Sequence, residues 1–221
     1  LNSFYGLAQL AIQPLQNTSG TLQAIGADAK LGKMYTNQPK IPILLLVLGE
    51  TARSTNFGIN GYDRDTTPLL KKLKENADQS GELTTQTNAW SCGTSTATSL
   101  PCMFSHLGKS AYENKTADYE NLIDVLDKAG LAVIWLENQS GCKGICDRVY
   151  RAATNKLDIA EFCSTDECFD EIMLHNLDDR LREVSFEKLS KGAVIVMHQM
   201  GSHGPAYYKR SPAAIKKFKP E

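Results

Sequence analysis

The chain has 221 residues, enough for one domain with a sizeable core. Its composition, 42% hydrophobic and 22% charged, excludes wholesale disorder. With 24 basic against 25 acidic residues the formal charge is -1, which argues against a nucleic-acid partner, whose phosphates call for a basic excess.

Residues 1–40 are polar and broken by Asn17-Thr18-Ser19-Gly20, Gly26 and Pro39, with weak helical periodicity at the start. They read as a linker or lead-in. Ile41-Pro-Ile-Leu-Leu-Leu-Val-Leu48 is continuously apolar, the pattern of a strand buried on both faces of a parallel sheet. Asp65-Thr-Thr-Pro68 starts a helix with proline in its first turn, and Leu69, Leu70 and Leu73 give it an apolar face. A helix beginning near Thr94 to Thr96 is expected from the hydroxyl-rich Ser91-Cys-Gly-Thr-Ser-Thr-Ala-Thr-Ser-Leu-Pro-Cys102. Asp118 to Lys128 is a further helix, stopped by Gly130, and Leu131 to Leu136 a second buried strand. A helical stretch from Asp166 to Lys191 then leads into a third strand, Gly192 to Met197.

Strands alternating with helices predict an open, mostly parallel α/β sheet with helices on both faces. Ligands in such sheets bind at the carboxyl ends of the strands. Three segments with chemistry fall there: Glu50 after the first strand, Glu137 to Lys143 after the second, and His198 to His203 after the third. A carboxylate at the first position is partly desolvated and calls for a metal or cation, although a surface glutamate would also fit. The hydroxyls near Thr96, at a helix N-terminus, suit attack on a phosphoryl group; an N-cap without chemistry is the plainer reading. Lys143 is held in a cysteine-bracketed loop, and the basic residues Lys209, Arg210, Lys216, Lys217 and Lys219 read as a solvated surface. His106, His175, Trp90 and Trp135 read as structural.

Six cysteines fall into three close pairs, Cys92 with Cys102, Cys142 with Cys146, and Cys163 with Cys168. Sequence does not fix the pairing. Local disulfides are the simplest arrangement, free thiols the plain alternative, and the spacings do not suit a zinc ribbon. Disulfides imply an oxidising compartment. No stretch reaches the roughly 20 apolar residues that span a bilayer, and no signal peptide is visible. A piece of a longer, membrane-tethered protein would look the same.

Together these segments resemble the lipid A phosphoethanolamine transferases of the colistin-resistance type, in the alkaline phosphatase/sulfatase superfamily. The resemblance rests on Gly49-Glu-Thr-Ala-Arg53, Asn60-Gly-Tyr-Asp-Arg-Asp65, Ser91-Cys-Gly-Thr-Ser-Thr-Ala97 with Pro101-Cys-Met-Phe-Ser105, Gly141-Cys-Lys-Gly144, and His198-Gln-Met-Gly-Ser-His-Gly-Pro-Ala-Tyr207. It implies a sulfatase-like catalytic domain over residues 41–221, preceded by a lead-in over 1–40 from a membrane-anchored region. It also implies that Glu50 is a zinc ligand, and Thr96 a ligand and the nucleophile that carries the phosphoethanolamine. Lys143, His203 and Gln139 would hold the substrate, Gln139 standing where the family has an asparagine. The cysteine pairs match family disulfides. Phosphatidylethanolamine would be the donor and lipid A the acceptor, at the periplasmic face of the bacterial inner membrane, giving polymyxin resistance.

One departure stands out: the family's later Asp-His-Gly-Glu stretch, which completes the zinc site, is not found here. The chain therefore reads as C-terminally incomplete, holding two of four expected ligands and inactive alone. Transfer to another periplasmic glycan, a sulfatase-like hydrolase and a non-catalytic binding module are the alternatives. The first cannot be separated by residues, the second would want a Cys/Ser-x-Pro-x-Arg run that the Thr96 stretch lacks, and the third is opposed by the joint presence of Glu50, Thr96, Lys143 and His203.

Overall fold

A computed structural model describes residues 21–76, 83–164 and 167–218. The weak helical pattern at the start of the chain and the first residue of the expected Asp166–Lys191 helix lie outside those residues. So does Lys219 of the basic run.

The strands are β1 (Ile43–Leu48), β2 (Ala132–Glu137), β3 (Tyr150–Ala153), β4 (Cys163–Ser164), β5 (Glu167–Cys168) and β6 (Ala193–His198). The helices are α1 (Lys33–Thr36), α2 (Pro68–Glu75), α3 (Thr96–Phe104), α4 (Lys109–Glu113), α5 (Leu122–Lys128), α6 (Leu177–Arg182) and α7 (Phe186–Leu189). Four parallel strands form the main sheet in the order β1-β6-β2-β3. The expected α/β architecture is therefore present. β3 has no counterpart in the sequence pattern, because Tyr-Arg-Ala-Ala is too short and mixed to read as a strand.

Every side chain of β2 and β6 is buried. Their pleat divides the core in two. On one face Val133, Trp135, Val194 and Val196 pack with Leu100 and Phe104 of α3 and Ile123 of α5. On the other, Ile134, Leu136, Ile195 and Met197 pack with Met173 and with Leu177 and Leu181 of α6. Helices thus cover both faces, as continuous apolar strands require.

β1 differs from expectation. Its sequence predicts burial on both faces, yet Ile43 is 66% exposed, Leu44 53% and Leu45 50%; only Leu48 is buried. The reason is position. β1 is an edge strand in the described sheet, and its apolar side chains have little packed over them.

Two helix boundaries also differ. The helix expected from Asp118 starts at Leu122, because Asn121 makes a capping box: its side chain accepts from the Ile123 amide at 2.8 Å while Asp124 accepts from the Asn121 amide at 2.7 Å. Arg148 grips Asp124 with two bonds, at 2.6 and 2.7 Å. The single helix expected over Asp166–Lys191 is instead strand β5, a 3₁₀ turn (Asp170–Leu174), α6 and α7. Asn176, at φ 51°, breaks the junction between that turn and α6. Within residues 21–40, the Ile25 amide donates to Glu120 at 2.9 Å, and Leu31 and Tyr35 pack against the core.

The three cysteine pairs are local disulfides, Cys92–Cys102, Cys142–Cys146 and Cys163–Cys168. Register brings Leu48, His198, Glu137 and Ala153 to one level, so the loops after four strands share one end of the sheet. That end carries the candidate residues Glu50, Gln139 and His203.

Candidate active site

Glu50 stands two residues past β1, and three side chains converge on its carboxylate. The Thr96 hydroxyl donates to Oε2 at 2.7 Å, the Gln139 amide to the same oxygen at 3.1 Å, and the Thr51 hydroxyl to Oε1 at 2.9 Å. Thr51 reaches back because its backbone is left-handed, at φ 54°, an outlier for a β-branched residue. Partial burial pushes the Glu50 carboxyl up, but the three hydrogen bonds and the nearby His203 charge outweigh it and hold the group below its ordinary value.

Thr96 opens α3. The preceding Ser95 makes no side-chain cap; its hydroxyl turns to Thr98 Oγ1 at 3.1 Å. The Thr98 amide donates to the Ser95 carbonyl at 3.1 Å, so the Thr96 and Ala97 amides are the first-turn donors open to an incoming anion, with the positive end of the helix dipole behind them. The Cys92–Cys102 bridge ties the approach to α3 to its own last turn.

The loop after β6 clasps Glu50 from the main chain. The Ser202 amide donates to the Glu50 carbonyl at 3.1 Å. Gly201, at φ 52°, lies so close that a Cβ there would sit 2.9 Å from both the nitrogen and the carbonyl oxygen of Glu50. Only glycine meets both demands.

Below Glu50 lies a buried polar layer drawn from the segments after the second and third sequence-predicted strands, though the sequence does not pair Glu137 with His198. Glu137, 3% exposed, accepts from Trp135 Nε1 at 2.8 Å, from the Gln139 backbone N–H at 2.9 Å, and pairs with His198 Nδ1 at 3.0 Å. Burial pushes this carboxyl up, and the His198 bond and charge with the other donors bring it below its ordinary value. The two histidines of the β6 segment thus part company. His198 points inward, edge-on to Trp135, while His203 is exposed and its Nδ1 lies 2.8 Å from the Gly204 carbonyl.

The structure thus brings Glu50, Thr96 and Gln139 into one contact, with His203 near enough to act on Glu50 by charge. It does not bring Lys143 there. The Lys143 amine bonds back to Ser140, 2.8 Å from the carbonyl and 3.0 Å from the hydroxyl. It borders a cavity of about 380 Å³ that Pro101, Tyr112 and Arg148 also line. Arg210 is not part of a solvated basic face: its side chain is 9% exposed and its Nε donates to the His203 carbonyl at 2.7 Å.

Glu50 and Thr96 fit a metal in part. An ionised carboxylate and a hydroxyl oxygen 2.7 Å apart are two hard donors on one spot, and a tetrahedral zinc site needs four. Among the described residues no cluster of three His, Cys, Asp or Glu side chains includes Glu50. The cluster that does occur, Cys142, Cys146 and Asp147, has its two sulfurs joined in a disulfide, so no thiolate is free to bind.

Residues 42–221 match the sulfatase family. The chain is 37% identical to phosphoethanolamine transferase EptA of Escherichia coli strain K12, over 99% of this chain and 36% of that protein. It is 41% identical to phosphatidylethanolamine transferase Mcr-1 of E. coli, over 80% of this chain and 32% of that protein. Among solved structures, the integral membrane lipooligosaccharide phosphoethanolamine transferase A of Neisseria meningitidis superposes with a TM-score of 0.83. It is 36% identical, covering 98% of this chain and 38% of that one. The chain thus spans about a third of the length of the curated relatives it matches.

Proposed function

Because the chain belongs to the sulfatase family, we propose that it is part of a phosphoethanolamine transferase that uses Thr96 as its nucleophile. The observation that carries this reading is the 2.7 Å bond between the Thr96 hydroxyl and a carboxylate held ionised, at a helix N-terminus and at the carboxyl end of a parallel sheet. The relatives' names supply the transferred group and the donor, phosphatidylethanolamine. Lipid A phosphate is the proposed acceptor, polymyxin resistance the consequence, and the periplasmic face of the inner membrane the place. Three disulfides agree with an oxidising compartment. No helix among the described residues is long and apolar enough to cross a membrane; contact with the membrane is proposed by likeness to the integral membrane transferase of Neisseria meningitidis, of which this chain covers 38%.

In the first step the Thr96 oxygen attacks the donor phosphorus, the new O–P bond forms, and the bond to diacylglycerol breaks. The hydroxyl proton passes along the bond to Glu50 and on to the departing diacylglycerol oxygen, which leaves as the neutral alcohol. An oxygen of the acceptor phosphate then attacks the phosphorus of the adduct, the Thr96 O–P bond breaks, and the acceptor's proton passes through Glu50 to restore the hydroxyl. Charge gathers on the equatorial phosphoryl oxygens, where the α3 amides and dipole stabilise it. Gln139 fixes the Glu50 carboxylate, and His203 and Lys143 are assigned to the phosphoethanolamine group. Lys143 must release Ser140 to reach it. A carboxylate held below its ordinary pKa is a weak base, so the hydroxyl itself needs acidifying. Zinc bound by Glu50 and Thr96, with ligands from beyond the described residues, would supply that.

The test is mass spectrometry of the full-length protein supplied with phosphatidylethanolamine. The peptide containing Thr96 should gain one phosphoethanolamine, and Thr96→Ala should abolish both the adduct and the transfer while leaving the fold intact. Transfer by Thr96→Ala near the native rate rules the reading out.

A further inference from the structure

Two loops hold Glu50, and one side chain ties those loops to each other. Asp170 lies just past the disulfide-closed β4–β5 hairpin. Its Oδ1 accepts from the Met200 amide at 2.8 Å and its Oδ2 from the Gly201 amide at 2.9 Å, both in the loop after β6. Oδ1 also accepts from the Asn138 side chain at 2.8 Å, in the loop after β2. Asn138 is 1% exposed, and its amide makes a second bond to the Cys168 carbonyl at 3.0 Å. The next residue along each loop meets Glu50: Gln139 by its side chain, Ser202 by its amide, with Gly201 packed on the Glu50 backbone.

The hairpin itself supplies a second carboxylate, which reaches the far end of the β6 loop. Glu167 Oε2 lies 2.7 Å from Arg210, a charge contact off the line of a hydrogen bond, and Arg210 in turn donates to the His203 carbonyl at 2.7 Å. Residues 200–203 are thus held at both ends from one short segment, although irregular backbone has no ladder of its own to keep it in place.

We propose that Asp170 is the positioning residue that locks the loops after β2 and β6 together and thereby sets Glu50 and His203 against Thr96. It touches no reacting atom in this role, and the role rests on the transferase reading above. A charged acceptor serving three donors suits the task, because charge-assisted bonds are shorter and stronger than neutral ones. Asparagine cannot replace it. Its NH₂ would oppose the Met200 or the Gly201 amide, donor against donor.

The test is hydrogen–deuterium exchange on the full-length protein, followed by mass spectrometry. In the native protein the Met200 and Gly201 amides should exchange slowly for loop amides, a measurement that needs no variant. In Asp170→Asn they should exchange about tenfold faster or more, with β6 unchanged. Phosphoethanolamine transfer should fall about tenfold as well, since a small misplacement of catalytic groups costs that much or more. Fast exchange at both amides in the native protein overturns the proposal, as does an Asp170→Asn variant that loosens the loop yet transfers at the native rate. Thr96→Ala, run alongside, separates the two ideas. An active Thr96→Ala protein defeats the transferase reading, while the exchange result still decides whether Asp170 is the lock.

Discussion

Gly201→Ala isolates what close approach to Glu50 is worth. Two costs add. The backbone stands at φ 52°, where an L-residue with a Cβ is disfavoured by about 1–2 kcal/mol. The new methyl would also meet the nitrogen and carbonyl oxygen of Glu50 at 2.9 Å each and its Cβ at 3.1 Å, and backbone cannot rotate away as a side-chain tip can. Overpacking of that kind costs about 1–3 kcal/mol, so the sum is roughly 2–5 kcal/mol. Gly141→Ala is the control. Gly141 also has positive φ, at 91°, but a methyl there would meet nothing within 4 Å, so only the conformational cost applies. Urea unfolding of the two variants should therefore differ by at least about 1 kcal/mol, with Gly201→Ala the weaker. In the full-length protein Gly201→Ala should also lose transfer, because the displaced residue carries the carboxylate under Thr96. Equal stabilities would refute the close-approach argument, and a Gly201→Ala enzyme with native transfer would refute its link to Glu50.

Acid sensitivity should trace to Glu50 and Glu137, both held below their ordinary pKa in the fold. The stabilisation they bring is fully present above the unfolded carboxylate value and fades as pH falls through the lower folded values, below about pH 4.3. Urea midpoints measured from pH 3 to 7 should fall less steeply for Glu50→Gln than for the native protein below that point, and parallel curves would contradict the assignment. Glu137→Ala leaves Trp135, His198 and the Gln139 amide without their acceptor and should cost about 3–5 kcal/mol. A loss under about 1 kcal/mol in the same unfolding assay would show that water or a rearranged side chain satisfies them. Replacing Cys92 and Cys102 together by serine opens a loop with a sequence separation of 10, and replacing Cys142 and Cys146 one of 4. Loop-closure entropy puts these at about 2.7 and about 2 kcal/mol, so the first pair should lower the unfolding midpoint more.

The exposed face of β1 bears on how this sheet is used. A strand of Ile, Leu, Leu, Leu, Val and Leu reads as fully buried by composition, yet among the described residues it forms the sheet edge with its side chains largely bare. Composition reports what a strand prefers to be covered by. It carries no information on which neighbour does the covering.

Much of the fold is legible in the residues themselves. Apolar runs of strand length bounded by glycine, the Thr67–Pro68 helix start and the alternation of elements depend on local backbone preference and on the pleat, which act over a few residues. The closeness of Glu50 to Thr96 is expected only through a family resemblance, since 46 residues separate them and no periodicity links them. Tertiary structure alone decided the rest. It turned His198 inward onto Glu137 and left His203 exposed, although both belong to one short motif. It took Lys143 back onto Ser140, drew Arg210 out of a basic run to hold a carbonyl, and recruited Asp170 from the turn after β5. Those outcomes depend on which loops meet at the end of the sheet. That meeting follows from strand order and register, which are settled when β6 inserts between β1 and β2, a long-range pairing with no local signature.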